Sequence, residues 1–150
     1  AEAVLVELLK NPSGWLENKI DACYVLGQCY RKMGEQKNAL EAFLYSLTMD
    51  VPRAEICCEV GGIFLERELH RQAAYWYGQA LTVSSDKKKG GFFMAEYHGF
   101  VPYMQLCVCY DKMGCPEQAF FFHKKASEQK PEDPGVLYNQ KYFREKYGLV

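Results

Sequence analysis

Small, apolar and polar residues fall along this chain in a pattern that returns at fixed intervals. LGQCYRKMG (26–34) and LCVCYDKMG (106–114) agree at six of nine positions. Gly27, Gly61 and Cys107 head three copies of the pattern. Ala39, Ala73 and Ala119 follow them at one constant offset, and Ser46, Ala80 and Ala126 at a longer one. Large side chains keep their own slots, with Tyr30, Phe64 and Tyr110 in one and Phe43, Tyr77 and His123 in another, where the histidine is the departure. Two antiparallel helices approach closely only where small side chains permit it, and aromatic rings then fill the space between layers. The pattern predicts helices over about 2–10, 16–33, 36–49, 54–67, 70–83, 100–113, 116–129 and 134–146, with little or no sheet. Punctuation agrees: NPSG at 11–14, DVP at 50–52, Pro116 at a first helical position, and Asp133 ahead of Pro134. Gly34 and Gly114 stand where a left-handed residue closes a helix; Glu68 holds that slot in the middle copy, where a less regular turn is expected.

The spacing from Gly27 to Gly61 is 34 residues, and that from Gly61 to Cys107 is 46, the same period enlarged by a 12-residue insertion. A 34-residue period of paired helices is that of tetratricopeptide repeats (TPR). The expected fold is all-α, a TPR-like α-solenoid of helix-turn-helix repeats with a C-terminal capping helix. One domain is expected over 1–150, with a leading helix and linker at 1–19, repeats at 20–53, 54–87 and 100–133, an insertion at 88–99 and the cap at 134–150. Ser127 and Gln129 replace the Leu47 and Met49, or Leu81 and Val83, of earlier copies. Such a polar edge suits termination beneath a cap carrying Val136, Leu137, Tyr142 and Phe143.

Composition narrows the function classes. With 49% apolar and 25% charged residues and a formal charge of -1, the chain lacks the basic excess of a nucleic-acid binder. No apolar run approaches the roughly 18 residues of a membrane span, the start AEAVLVELLK lacks a secretion-signal pattern, and a cytoplasmic location is expected. Seven cysteines, at 23, 29, 57, 58, 107, 109 and 115, are an odd number without a C-x-x-C pair, and His70, His98 and His123 are far apart, so no metal site is expected. Cys29 and Cys109 share one interior slot, Cys23 and Cys57 another, and Cys107 stands where other copies have glycine, so these thiols read as packing residues. Cys58, on the expected concave face, and Cys115, in a turn, are the two open to oxidation. DKKKGG (86–91) lacks the spacing of a phosphate loop and reads as a solvated loop, and FFF (120–122) reads mainly as core. With no D-x-D, G-x-S-x-G or H-E-x-x-H, no catalytic residue and no cofactor are expected in this fragment.

What remains is the concave face that the first helix of each repeat builds, where such solenoids hold extended peptides. By register its lining is Asp21, Tyr24, Gln28 and Arg31, then Glu55, Cys58, Gly62 and Leu65, then Met104, Val108 and Asp111. Repeat domains that clamp a chaperone's C-terminal carboxylate carry lysine and asparagine there; this chain has neither, which disfavours that partner. GGFFMAEYHGF (90–100) places Phe92, Phe93, Tyr97 and His98 at the rim, either tucked against the solenoid or forming an aromatic platform for a partner or a sugar. The expected partner is a protein or peptide, with self-association as a further option.

VPRAEICCEVGGIF (51–64), YHGFVPYMQLCVCYDKMG (97–114) and PGVLYNQKYF (134–143) resemble the C-terminal repeat region of bacterial family 2 glycosyltransferases, over roughly residues 20–145. Glu68 departs from the glycine usual in that family's middle repeat. The resemblance implies a noncatalytic module that recruits an acceptor or mediates assembly. It also implies a parent enzyme whose N-terminal GT-A-type domain uses a nucleotide sugar and a divalent metal, with none of that machinery in this segment.

Overall fold

Among the described residues, 2–10, 15–83 and 94–150 of the computed structural model, the chain forms eight α-helices and no strand. They are α1 (Glu2–Lys10), α2 (Leu16–Lys32), α3 (Gln36–Tyr45), α4 (Ala54–Glu66), α5 (His70–Thr82), α6 (Phe100–Lys112), α7 (Pro116–Gln129) and α8 (Pro134–Tyr147). The links 33–35, 67–69 and 113–115 are too short for anything but an antiparallel return, so α2 pairs with α3, α4 with α5 and α6 with α7. The helix expected to run to residue 49 stops at Tyr45 and continues as a 3-10 turn, Ser46–Thr48. There the Ser46 and Thr48 hydroxyls donate to the Phe43 and Tyr45 carbonyls at 2.7 and 2.8 Å, competing with the helical ladder.

The small slots act as the sequence requires. A Cβ on Gly27 would come within 2.3 Å of the Phe43 ring, and one on Gly61 within 2.9 Å of the Tyr77 ring, so each glycine makes the room that the facing aromatic fills. At the same offset in the third pair stand Cys107 and His123, both buried, a larger slot residue matched to a smaller ring. The middle turn departs from expectation. Glu68 takes φ 59, beside φ 77 at Gly34 and Gly114. The amide after it bonds Phe64 O at 2.9 Å, as the amides of Glu35 and Cys115 bond Tyr30 O and Tyr110 O. The turn is therefore as regular as the other two, with a glutamate bearing the left-handed strain of about 1 kcal/mol.

Packing runs down the stack without a break. One core joins Ile20, Tyr24, Phe43, Val60 and Ile63 of α2, α3 and α4, a second joins Cys57, Tyr77, Leu106 and Cys109 of α4, α5 and α6, and a third joins Cys107, Ala119 and Phe143 of α6, α7 and α8. Phe120 and Phe122 turn inward toward these cores while Phe121 is exposed. Asp133 caps α8, its Oδ1 accepting from the Gly135 and Val136 amides at 2.8 and 3.3 Å, and Gly148 ends the helix in the left-handed region. Val136 and Phe143 are buried by the cap, with Phe143 5.5 Å from Phe120 and 5.6 Å from His123 by ring centroids. Leu137 faces outward instead of joining them, at 49% exposure.

Candidate interaction surface

On the expected concave face the first helices are bound to one another by polar side chains. Gln28 donates to Tyr24 Oη at 3.0 Å and to Glu59 Oε1 at 3.4 Å; Arg31 donates to Glu59 Oε2 at 2.9 Å and to Glu66 Oε1 at 2.5 Å. Gly62 makes this possible, because a Cβ there would lie 2.6 Å from an Arg31 nitrogen. Gln36 donates to the other Glu66 oxygen at 2.8 Å and accepts from Arg67 Nε at 2.8 Å, so the network crosses from α2 to α4 and back to α3. Arg53, just before α4, pairs with Glu17 at 2.6 Å and Asp50 at 3.0 Å.

Residues 94–99 lie across the N-terminal half of α4. They form a 3-10 turn at Ala95–His98 that contacts α4, α5 and α6. Glu55 is 2% exposed, and its Oε1 accepts from the Met94 amide at 2.9 Å and faces His98 Nε2 at 3.5 Å. The Cys58 thiol donates to the Tyr97 carbonyl at 3.6 Å, and the Tyr97 side chain packs against the core of α4, α5 and α6. Glu96 pairs with Lys130, and Gly99 passes so close to Gln129 that a Cβ would lie 2.6 Å from its amide nitrogen. Burial, and after it the Glu59 carboxylate, pushes the Tyr24 phenol up; burial, followed by Cys57 and Glu55, does the same to the Cys58 thiol. Neither is a ready anion at neutral pH.

The α6 and α8 half differs. Asp111 accepts from the Tyr142 and Tyr147 hydroxyls at 2.7 and 2.8 Å, tying α8 to α6. Beside this tie a cleft of about 250 Å³ is lined by Cys107, Val108, Asp111, Lys112, Tyr138, Asn139, Tyr142 and Phe143. Val108 is 38% and Tyr138 70% exposed.

No protein-family model matches this chain. No curated protein matches it either. Solved structures do. The N-terminal domain of stress-induced protein-1 (STI-1) from C. elegans is similar at 11% identity over 88% of this chain and 99% of that one, with a TM-score of 0.74. A MamA crystal structure is similar at 19% identity over 96% of this chain and 78% of that one, TM-score 0.69, and a second at 18% over 99% and 67%, TM-score 0.64. The fold is a TPR-like α-solenoid.

On this solenoid the register-derived lining residues meet different fates. Tyr24, Glu55 and Cys58 were expected to line an open groove and are buried instead, Tyr24 in the core of α2, α3 and α4 and Glu55 and Cys58 beneath residues 94–99. Gln28, Arg31 and Asp111 are half-buried and engaged by neighbouring helices, and Leu65 leans on the core. Met104 is half-buried near Gly135, and Val108 alone among them is exposed. Tyr97 and His98 lie on α4 and not at a rim; Phe92 and Phe93 fall outside the described residues. Sequence reasoning passed over Glu59 and Glu66, one and three turns beyond Glu55 on α4, and Tyr138 on α8. The acidic stripe at 55, 59 and 66 was the available signal for the first two. The thiols of LCVCYDKMG, Cys107 and Cys109, are buried, and burial raises them to about 12 and about 11. Among the described residues no group of His, Cys, Asp or Glu is arranged to hold a metal, and no helix is long and apolar enough to cross a membrane.

Proposed function

We propose that this chain is a noncatalytic module that binds an extended protein segment. We also propose, from its resemblance to the repeat regions described above, that it serves a glycosyltransferase in its parent protein by holding a protein acceptor or a second subunit. The observation that carries the binding role is the α6 and α8 cleft, where Val108 and Tyr138 stay exposed beside a half-buried asparagine, Asn139. Apolar and aromatic side chains with an adjacent amide suit a peptide, which needs both area and backbone hydrogen bonds. The sugar-platform alternative loses support at Tyr97, whose ring is committed to the core.

Panning displayed random peptides against the solenoid tests the binding role. Selected peptides should lose at least about tenfold in affinity to the Val108→Glu and Tyr138→Ala variants, the loss expected on removing an interface anchor. Failure to select any peptide, or selected peptides indifferent to both changes, would remove the reading. The parental role has its own check in the upstream coding sequence, where alternating strands and helices followed by a D-x-D are expected. A parent without them is not of this enzyme class.

A further inference from the structure

Residues 94–99 do more than fill space, because each contact they make to α4 is one that a bound peptide would make. Glu55 takes a backbone N–H, Cys58 gives its thiol proton to a backbone carbonyl, an aromatic ring beds beside Cys58, and an imidazole follows directly and turns to the same carboxylate. Glu55 is the telling residue. A carboxylate 2% exposed is costly unless something supplies it with donors, and here the donors come from outside α4, from Met94 and His98. Asp21, Glu55 and Glu59 also make this stretch of α2 and α4 acidic, with Arg31 as the nearby cation.

We propose that residues 94–99 are an intrachain ligand. They occupy the α4 section of the concave face, and a peptide partner with an aromatic side chain followed directly by a histidine, lysine or arginine gains that section by displacing them. This rests on the peptide-binding reading above and adds a second, closed subsite to the open one on α6 and α8. Its affinity for an outside peptide is reduced by the fraction of molecules in which the resident segment is bound.

The test uses a fluorescent peptide of residues 94–100, MAEYHGF, read by polarisation against three forms of the chain. The Tyr97→Ala, His98→Ala double variant weakens the resident segment and should bind the peptide at least about tenfold more tightly than the native chain. Adding Glu55→Ala should abolish the gain, and a peptide with glutamate in place of the histidine should bind the double variant weakly. Circular dichroism establishes folding, and His98→Ala alone supplies a milder variant if the double one unfolds. Equal binding to native and loosened chains, or no binding to a loosened chain that remains folded, overturns the proposal. Val108→Glu separates the two ideas: it should impair capture of the library peptides and leave this exchange intact.

Discussion

The two halves of the expected concave face are built by equivalent helices and behave oppositely. On α2 and α4 the lining is closed, with Tyr24 in the core, Glu55 and Cys58 beneath residues 94–99, and Arg31 spent on Glu59 and Glu66. On α6 and α8 the polar ties are Asp111 holding two tyrosines and the Asn139 amide donating to Cys107 Sγ, and Val108 and Tyr138 remain open beside them. The difference teaches that helical register decides which side chains face the groove, while the connecting segment decides which of them meet solvent. A solenoid can therefore keep its repeat and still change its binding surface through one insertion.

The largest effect should come from the packing beneath the closed half. Phe43 is fully buried against the room left by Gly27. Phe43→Ala is expected to cost about 3–5 kcal/mol in urea unfolding, enough to loosen α2, α3 and α4 together. Next is Asp111→Ala, which removes two hydrogen bonds from tyrosine hydroxyls to a carboxylate and should cost about 2 kcal/mol. Hydrogen exchange should report that loss on α8 and leave α4 unchanged. Arg31→Ala breaks two partly exposed ion pairs and should cost about 1 kcal/mol, less at high salt. Equal losses on both halves from Asp111→Ala would mean that the halves are not separable.

The smallest effect is a pH slope belonging to the third pair. His123 is buried between aromatic rings, and burial, with Lys124 adding to it, holds its imidazole below the usual 6.5. A depressed folded value favours the neutral ring. The stability it contributes is present above 6.5 and is lost as pH falls through the lower folded value. Unfolding midpoints measured from pH 7.5 to 5 should fall for the native chain and flatten for His123→Phe over that part of the range.

Much of this molecule was legible because packing at close range leaves periodic traces. Gly27 and Gly61 had to be small to admit Phe43 and Tyr77, and the Asp133-Pro134 start of α8 follows from local hydrogen bonding alone. Exposure was not legible. Nothing in the register of Glu55 or Cys58 says that another segment will lie on top, since the contacts from Glu55 to Met94 and from Cys58 to Tyr97 each span 39 residues. The reach of Arg31 to Glu66, 35 residues on, was hidden for a similar reason: a long side chain chooses its partner through three-dimensional placement. Leu137 misled because an apolar residue next to a buried valine can still fall on the outer face of a helix.

Thiol mapping reads the covering of α4 most directly, because Cys58 lies under Tyr97 and Cys115 is half-buried in a turn. The native chain would be labelled briefly with a maleimide and each cysteine quantified by mass spectrometry. Cys115 should label well before Cys58, and Tyr97→Ala should speed Cys58 by about tenfold or more while leaving Cys115 unchanged, as expected when a local cover is weakened. Cys58 reacting as fast as Cys115 in the native chain would contradict a closed α4 section.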